Sequence, residues 1–82
     1  MKVNVKVFPA SGLCGETQKL QLALEEGSLS EVMIQVQERY GISADKLETL
    51  MFLHNGLALD KREDIEFKNG DELWILPLLS GG

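Results

Sequence analysis

Two glycines, Gly81 and Gly82, end the 82-residue sequence behind the apolar run Leu73-Trp74-Ile75-Leu76-Pro77-Leu78-Leu79-Ser80. Lacking Cβ atoms, such a pair gives a backbone thin enough to thread a narrow channel and free to adopt any φ/ψ inside it. The chemistry on offer is that of the Gly82 carboxylate. Extended at about 3.3 Å per residue, the stretch from Leu78 to Gly82 reaches roughly 16 Å beyond a folded body. That is enough to deliver the carboxylate into another protein's active site. Glycine is also common in frayed chain ends, and a frayed end is the alternative reading of the same residues. What sets this tail apart is that it is uncharged and attached directly to the most apolar stretch of the chain.

Other reactive side chains are few. Cys14 is the single cysteine, within Ser11-Gly12-Leu13-Cys14-Gly15, and His54 is the single histidine, beside a turn. One cysteine excludes an intramolecular disulfide framework and suits a reducing compartment. No His, Asn or Asp lies near Cys14 in sequence to support a catalytic thiol, and one Cys with one His does not make a zinc site, so no metal is expected. Thirteen acids against eight bases give a net charge of −5. Without a surplus of Lys and Arg to release counterions, a nucleic-acid partner is not expected. The same charge reads as solubility or as an acidic surface steered toward a basic partner. No apolar run reaches membrane-spanning length. Met1-Lys2-Val3-Asn4-Val5-Lys6 alternates rather than forming a signal-peptide core, so the expectation is a cytoplasmic location with no membrane partner.

The elements that would hold the tail can be read from periodicity. Val3, Val5 and Val7 alternate with Lys2, Asn4 and Lys6 in a half-buried strand. Phe8 to Gly15 is a loop, and Leu20, Leu22 and Leu24 alternate in a second strand, returned by a hairpin. Ser28-Leu29-Ser30-Glu31 has the spacing of a capping box, and Leu29, Val32, Met33, Val36 and Tyr40 recur at helical spacing up to Gly41. A polar connection follows, with a short helical turn at Ala44-Asp45-Lys46-Leu47. Leu50 to His54 is a strand, Asn55-Gly56 a tight type I′ hairpin turn, and Leu57-Ala58-Leu59 a short return. Asp60 to Phe67 is charged and irregular, with Ile65 and Phe67 tucked inward. Lys68-Asn69-Gly70-Asp71 turns into the last strand, where Pro77 removes a donor and ends regular pairing.

This order predicts an α+β fold, a ubiquitin-like β-grasp. The last strand lies parallel to the first in the middle of a mixed sheet of four to five strands, and one helix crosses one face. The domain spans 1–77, and 78–82 form a flexible tail. If Leu73 and Ile75 face the helix, Trp74 and Leu76 face the open side. In the third strand Met51 and Leu53 are expected to point inward, with Phe52 and His54 outward. Phe52, Trp74 and Leu76 would then form an exposed apolar patch beside the root of the tail, the kind of patch that marks a partner site.

The element order, the Asn55-Gly56 hairpin, the Asn69-Gly70-Asp71-Glu72 turn and the ending Pro77-Leu78-Leu79-Ser80-Gly81-Gly82 together resemble the MoaD and ThiS sulfur-carrier family, with the molybdopterin synthase small subunit as the nearer match. The resemblance implies a carrier without a catalytic site or bound cofactor of its own. A ubiquitin-activating-like enzyme would use ATP and Mg to adenylate the Gly82 carboxylate, and a sulfur donor would convert it to a thiocarboxylate. Gly81 would allow threading, while Leu76, Leu78, Leu79 and Ser80 would join Phe52 and Trp74 in partner contact. The partner implied is a large synthase subunit or another sulfur acceptor enzyme, in molybdenum-cofactor, thiamine or a related synthesis. A ubiquitin-like protein modifier and a plain interaction module remain alternatives. In the family's molybdopterin branch the first strand is often followed by Phe, a few residues and Leu-Arg-Glu-Leu. Here Phe8 leads into Pro9-Ala10-Ser11-Gly12-Leu13-Cys14-Gly15, with no Arg or Glu.

Overall fold

The computed structural model describes residues 1–78. Five strands, β1 (Lys2–Val7), β2 (Gln18–Ala23), β3 (Leu50–His54), β4 (Leu57–Ala58) and β5 (Glu72–Pro77), form one sheet in the order β2-β1-β5-β3-β4. β1 and β5 run parallel at its centre and every other pair is antiparallel. Helix α1 (Leu29–Tyr40) and the short α2 (Ala44–Glu48) connect β2 to β3. The expected topology is therefore present, and the helical turn after Tyr40 is a five-residue helix. Within the loop after β1, Pro9–Ser11 form a 3-10 turn.

The helix starts where the cap demands it. The Ser28 hydroxyl accepts the Glu31 amide at 3.2 Å, and Gly41, at φ 61°, ends the helix with its N–H on the Gln37 carbonyl. The Glu31 carboxylate reaches past Ser28. It accepts the amides of Glu25, Glu26 and Gly27 at 2.7, 2.9 and 3.0 Å. These bonds, that from Glu25 foremost, hold its pKa below the usual carboxylate value. One side chain thus fixes both the start of α1 and the turn leading into it.

One face of α1, carrying Leu29, Val32 and Val36, covers the inner face of the sheet, where Val3, Val5, Val7, Leu22, Leu50, Phe52, Leu73 and Ile75 are buried. Each such side chain contributes about 1.5–3 kcal/mol of transfer free energy. Leu24, Leu47 and Phe67 close the rim. Phe67 is brought in by the irregular segment: Ser28 and Glu66 form an isolated bridge, and the Phe67 amide donates to the Gly27 carbonyl at 2.7 Å. Ile65 packs half-buried beside it.

Two side chains expected outward in β3 face inward instead. Phe52 is 0 % exposed and lies in the core, and His54 shares its side of the strand. Met51 and Leu53 are the outward pair, each half-buried. The inversion follows from pairing: Phe52 is opposite Ile75 and His54 opposite Leu73, both core residues of β5. A patch role for Phe52 is therefore overturned. Pro77, for its part, stays in register opposite Leu50, and the Leu78 amide donates to the Thr49 carbonyl at 2.9 Å. Pairing continues one residue past the proline.

Candidate functional site

The open face of the sheet is assembled by alternation. Val3, Val5 and Val7 point into the core, so Lys2, Asn4 and Lys6 point out; Leu73 and Ile75 point in, so Glu72, Trp74 and Leu76 point out. Trp74 is 39 % exposed, Leu76 half-buried and Leu78, which continues the alternation, 53 % exposed. These three line up along β5 toward the C-terminus. Leu53 and Met51 stand directly opposite Trp74 and Leu76 on one side. On the other side, Lys6 is opposite Trp74, and the Phe8 ring meets the Trp74 ring edge-on with centroids 5.4 Å apart.

The Lys6 ammonium lies 5.1 Å from the centroid of each of these rings. Ring quadrupoles attract a cation placed there by about 0.5–1 kcal/mol at an exposed site. Lys6 is therefore held in place at the centre of the face. Beside it a groove of about 430 Å³ is lined by Asn4, Lys6, Lys19, Gln21, Glu72 and Trp74.

Of the site residues read from sequence, the structure brings Trp74, Leu76 and Leu78 together on one face and places Phe52 on the other. Leu79, Ser80, Gly81 and Gly82 lie outside the described residues. Sequence reasoning missed Lys6, Phe8, Met51 and Leu53. The signal for the first two was present, because the alternation that buries Val7 turns both of its neighbours outward.

His54 and Asp71 form a separate arrangement at the opposite end of β5. The imidazole Nε2 is 2.7 Å from Asp71 Oδ2, and the ring lies 4.6 Å from that of Phe67, centroid to centroid. Asp71 also accepts the Lys68 amide at 2.8 Å and the Asn55 side-chain amide at 3.2 Å. The Lys68 amide and then His54 are the main causes of its lowered pKa, about 2. Asn55, at φ 48°, accepts the Glu72 amide at 2.8 Å. This network ties the β3–β4 hairpin to the turn before β5. Five strand residues separate Asp71 from Pro77, roughly 20 Å of extended chain, so the network acts on the site through the register of β5. The Cys14 thiol is half-buried, 3.7 Å from the Val7 carbonyl. Among the described residues no group of three or more His, Cys, Asp or Glu side chains is positioned to hold a metal ion, and no helix is long and apolar enough to cross a membrane.

An apolar strip running along a central strand to the C-terminus of a β-grasp domain is a relation that can be compared across proteins. The model of the ThiS family matches residues 1–82. The chain belongs to the ThiS family of ubiquitin-like sulfur carriers. Among solved structures, the small archaeal modifier SAMP1 from Haloferax volcanii superposes with a TM-score of 0.71 at 18% identity, over 100% of both chains. A chain of the complex of subunits 1 and 2 of molybdopterin-converting factor from Helicobacter pylori 26695 gives 0.66 at 24%, also over 100% of both. Small archaeal modifier protein 1 from Methanosarcina acetivorans gives 0.60 at 24%, over 99% of this chain and 96% of that one. At these identities the structures speak to the ubiquitin-like fold. No curated protein sequence matches the chain.

Proposed function

We propose that this ThiS-family chain carries sulfur on its C-terminus and donates it in cofactor synthesis, with molybdopterin the best-supported destination. The observation that carries the reading is the strip Trp74-Leu76-Leu78. It gives a partner an apolar surface that ends four residues before the Gly82 carboxylate. Four extended residues beyond Leu78 span roughly 13 Å, so a partner docked on that strip would have the Gly82 carboxylate within that reach.

A carboxylate resists nucleophilic attack because of its charge and resonance. Attack of a Gly82 oxygen on the α-phosphorus of Mg-bound ATP, in a ubiquitin-activating-like enzyme, gives an acyl adenylate and releases pyrophosphate. A sulfide-level donor then displaces AMP, leaving a thiocarboxylate with one oxygen exchanged for sulfur. The sulfur is a competent nucleophile, and a tail threaded by Gly81 and Gly82 makes its attack on a bound acceptor effectively unimolecular. In this scheme the chain binds no cofactor and supplies no catalytic side chain. Its Trp74, Leu76 and Leu78 dock on a synthase large subunit or another acceptor enzyme, and Leu79 and Ser80 follow the tail inward. The Helicobacter complex of two molybdopterin-converting factor subunits supports an acceptor of that kind.

Intact-mass measurement after incubation with an adenylating enzyme from the same genome, ATP, Mg and a sulfur donor is expected to show one oxygen replaced by sulfur, located at Gly82. An unchanged mass with every such enzyme would sink the proposal. A second reading, attachment of the same activated tail to lysines of other proteins, draws on the likeness to the two small archaeal modifier proteins. Conjugates of higher mass that survive denaturant and thiols would favour it.

A further inference from the structure

Lys6 and Lys19 stand directly opposite each other across β1 and β2, both on the open face. Like charges in that position repel and weaken a sheet. Neither has an ion-pair partner among the described residues, whose salt bridges are His54–Asp71 and Arg62–Asp60. Lys2 lies on the same face, and among the described strand residues of that face Glu72, opposite Asn4, is the one acid. Taking these four away from the eight bases and thirteen acids of the chain leaves five bases and twelve acids, a net −7. An acidic protein has therefore set two unpaired lysines, Lys6 and Lys19, against one carboxylate, Glu72, in the lining of one groove, with the Trp74 ring in the same lining and Lys2 on the same face.

We propose that this groove receives an acidic, extended peptide segment of the docked partner. Its carboxylates would lie between Lys6 and Lys19 and an apolar side chain would rest on Trp74. The proposal rests on the reading that the open face docks a partner, and adds what that partner must bring. An anion placed between the two ammonium groups removes their mutual repulsion, so binding recovers what the sheet gives up in the free protein. The rings of Phe8 and Trp74 hold Lys6 in position beforehand, which lowers the ordering cost of the contact. A nucleic acid is the less suited polyanion, because its charge extends past the groove onto a surface of net negative charge.

The test uses the whole chain, isotope-labelled, titrated with the peptide acetyl-Glu-Asp-Glu-Phe-Glu-Asp-amide, its Gln/Asn isostere, and a single-stranded oligouridine of equal charge. The acidic peptide is expected to move the backbone signals of Asn4, Lys6, Lys19 and Gln21 and the indole signal of Trp74, and to weaken with added salt. K19E should lower its affinity about fivefold, and K6M, which keeps the stem against the rings, should lower it in the same direction. Equal binding of the isostere, shifts confined to other surfaces, or tighter binding of oligouridine would overturn the proposal. Peptide binding without sulfur uptake at Gly82 would sink the carrier reading alone, and sulfur uptake without peptide binding would sink the groove alone.

Discussion

Leu53 lies directly opposite Trp74 in the β3–β5 ladder, and this pairing turns Phe52 and Ile75 together into the core. Two neighbouring aromatic positions thereby acquire opposite duties. Phe52→Ala removes a fully buried ring and is expected to cost about 3–5 kcal/mol. Trp74→Ala removes a ring that touches Phe8 and Lys6 at the surface and is expected to cost about 1 kcal/mol, while abolishing partner binding. Urea denaturation of both variants, with partner binding measured on the folded fraction, separates the two. A Trp74 variant as unstable as the Phe52 variant would contradict the assignment of faces.

That inversion also shows where the sequence stops being informative. In β1 and β2 one side of the strand is polar, so the faces are written in the residues. Leu50-Met51-Phe52-Leu53-His54 is apolar or weakly polar at every step and carries no period-2 signal. Its register is decided by distant groups, Asp71 on His54 and the β5 ladder opposite. The Asn55-Gly56 turn and the Ser28 cap were legible because each depends on a few adjacent residues. The fixing of Gly27 to Phe67, forty residues apart, and the gathering of Lys6, Phe8 and Trp74 were not, because no local pattern encodes which loops and strands meet.

The Asp71 network makes stability depend on acid pH. Asp71 is held at about 2, against 3.8 for an ordinary aspartate, so the folded state favours its ionised form. The contribution is complete above about pH 4 and is lost as pH falls through about 2. Solvent screening at this turn limits it to the order of 1 kcal/mol. Urea midpoints across that window are expected to fall more steeply for the wild type than for Asp71→Asn, and parallel curves would show that the network carries no such energy.

Ser28 and Glu31 divide the start of α1 between them. Ser28→Ala leaves the Glu31 amide without its side-chain acceptor and is expected to cost about 1 kcal/mol. Glu31→Ala releases three amides of the preceding turn, and hydrogen exchange at Glu25, Glu26 and Gly27 is expected to accelerate while the amides of β1 stay protected. Uniform acceleration across the domain would mean that the turn and the sheet open as one unit.

One residue past Pro77, the Leu78 amide donates to the Thr49 carbonyl at 2.9 Å and ties the end of β5 to the residue before β3. Core residues of β5 end at Ile75, seven positions before Gly82. Deleting Gly82, or appending residues after it, is expected to leave the denaturation midpoint within about 0.5 kcal/mol of the wild type. Either change removes the carboxylate from the place where adenylation requires it, so sulfur uptake and complementation of a null strain should both disappear. Thr49 offers a contrasting change. Thr49→Pro keeps the carbonyl but disturbs the backbone that presents it, and should shift the root of the tail while leaving Gly82 intact. Partner turnover should then fall while adenylation of the free terminus persists. If an extended chain still complemented the null strain, the Gly82 carboxylate would have no part in the function, and the strip along β5 would have to serve binding alone.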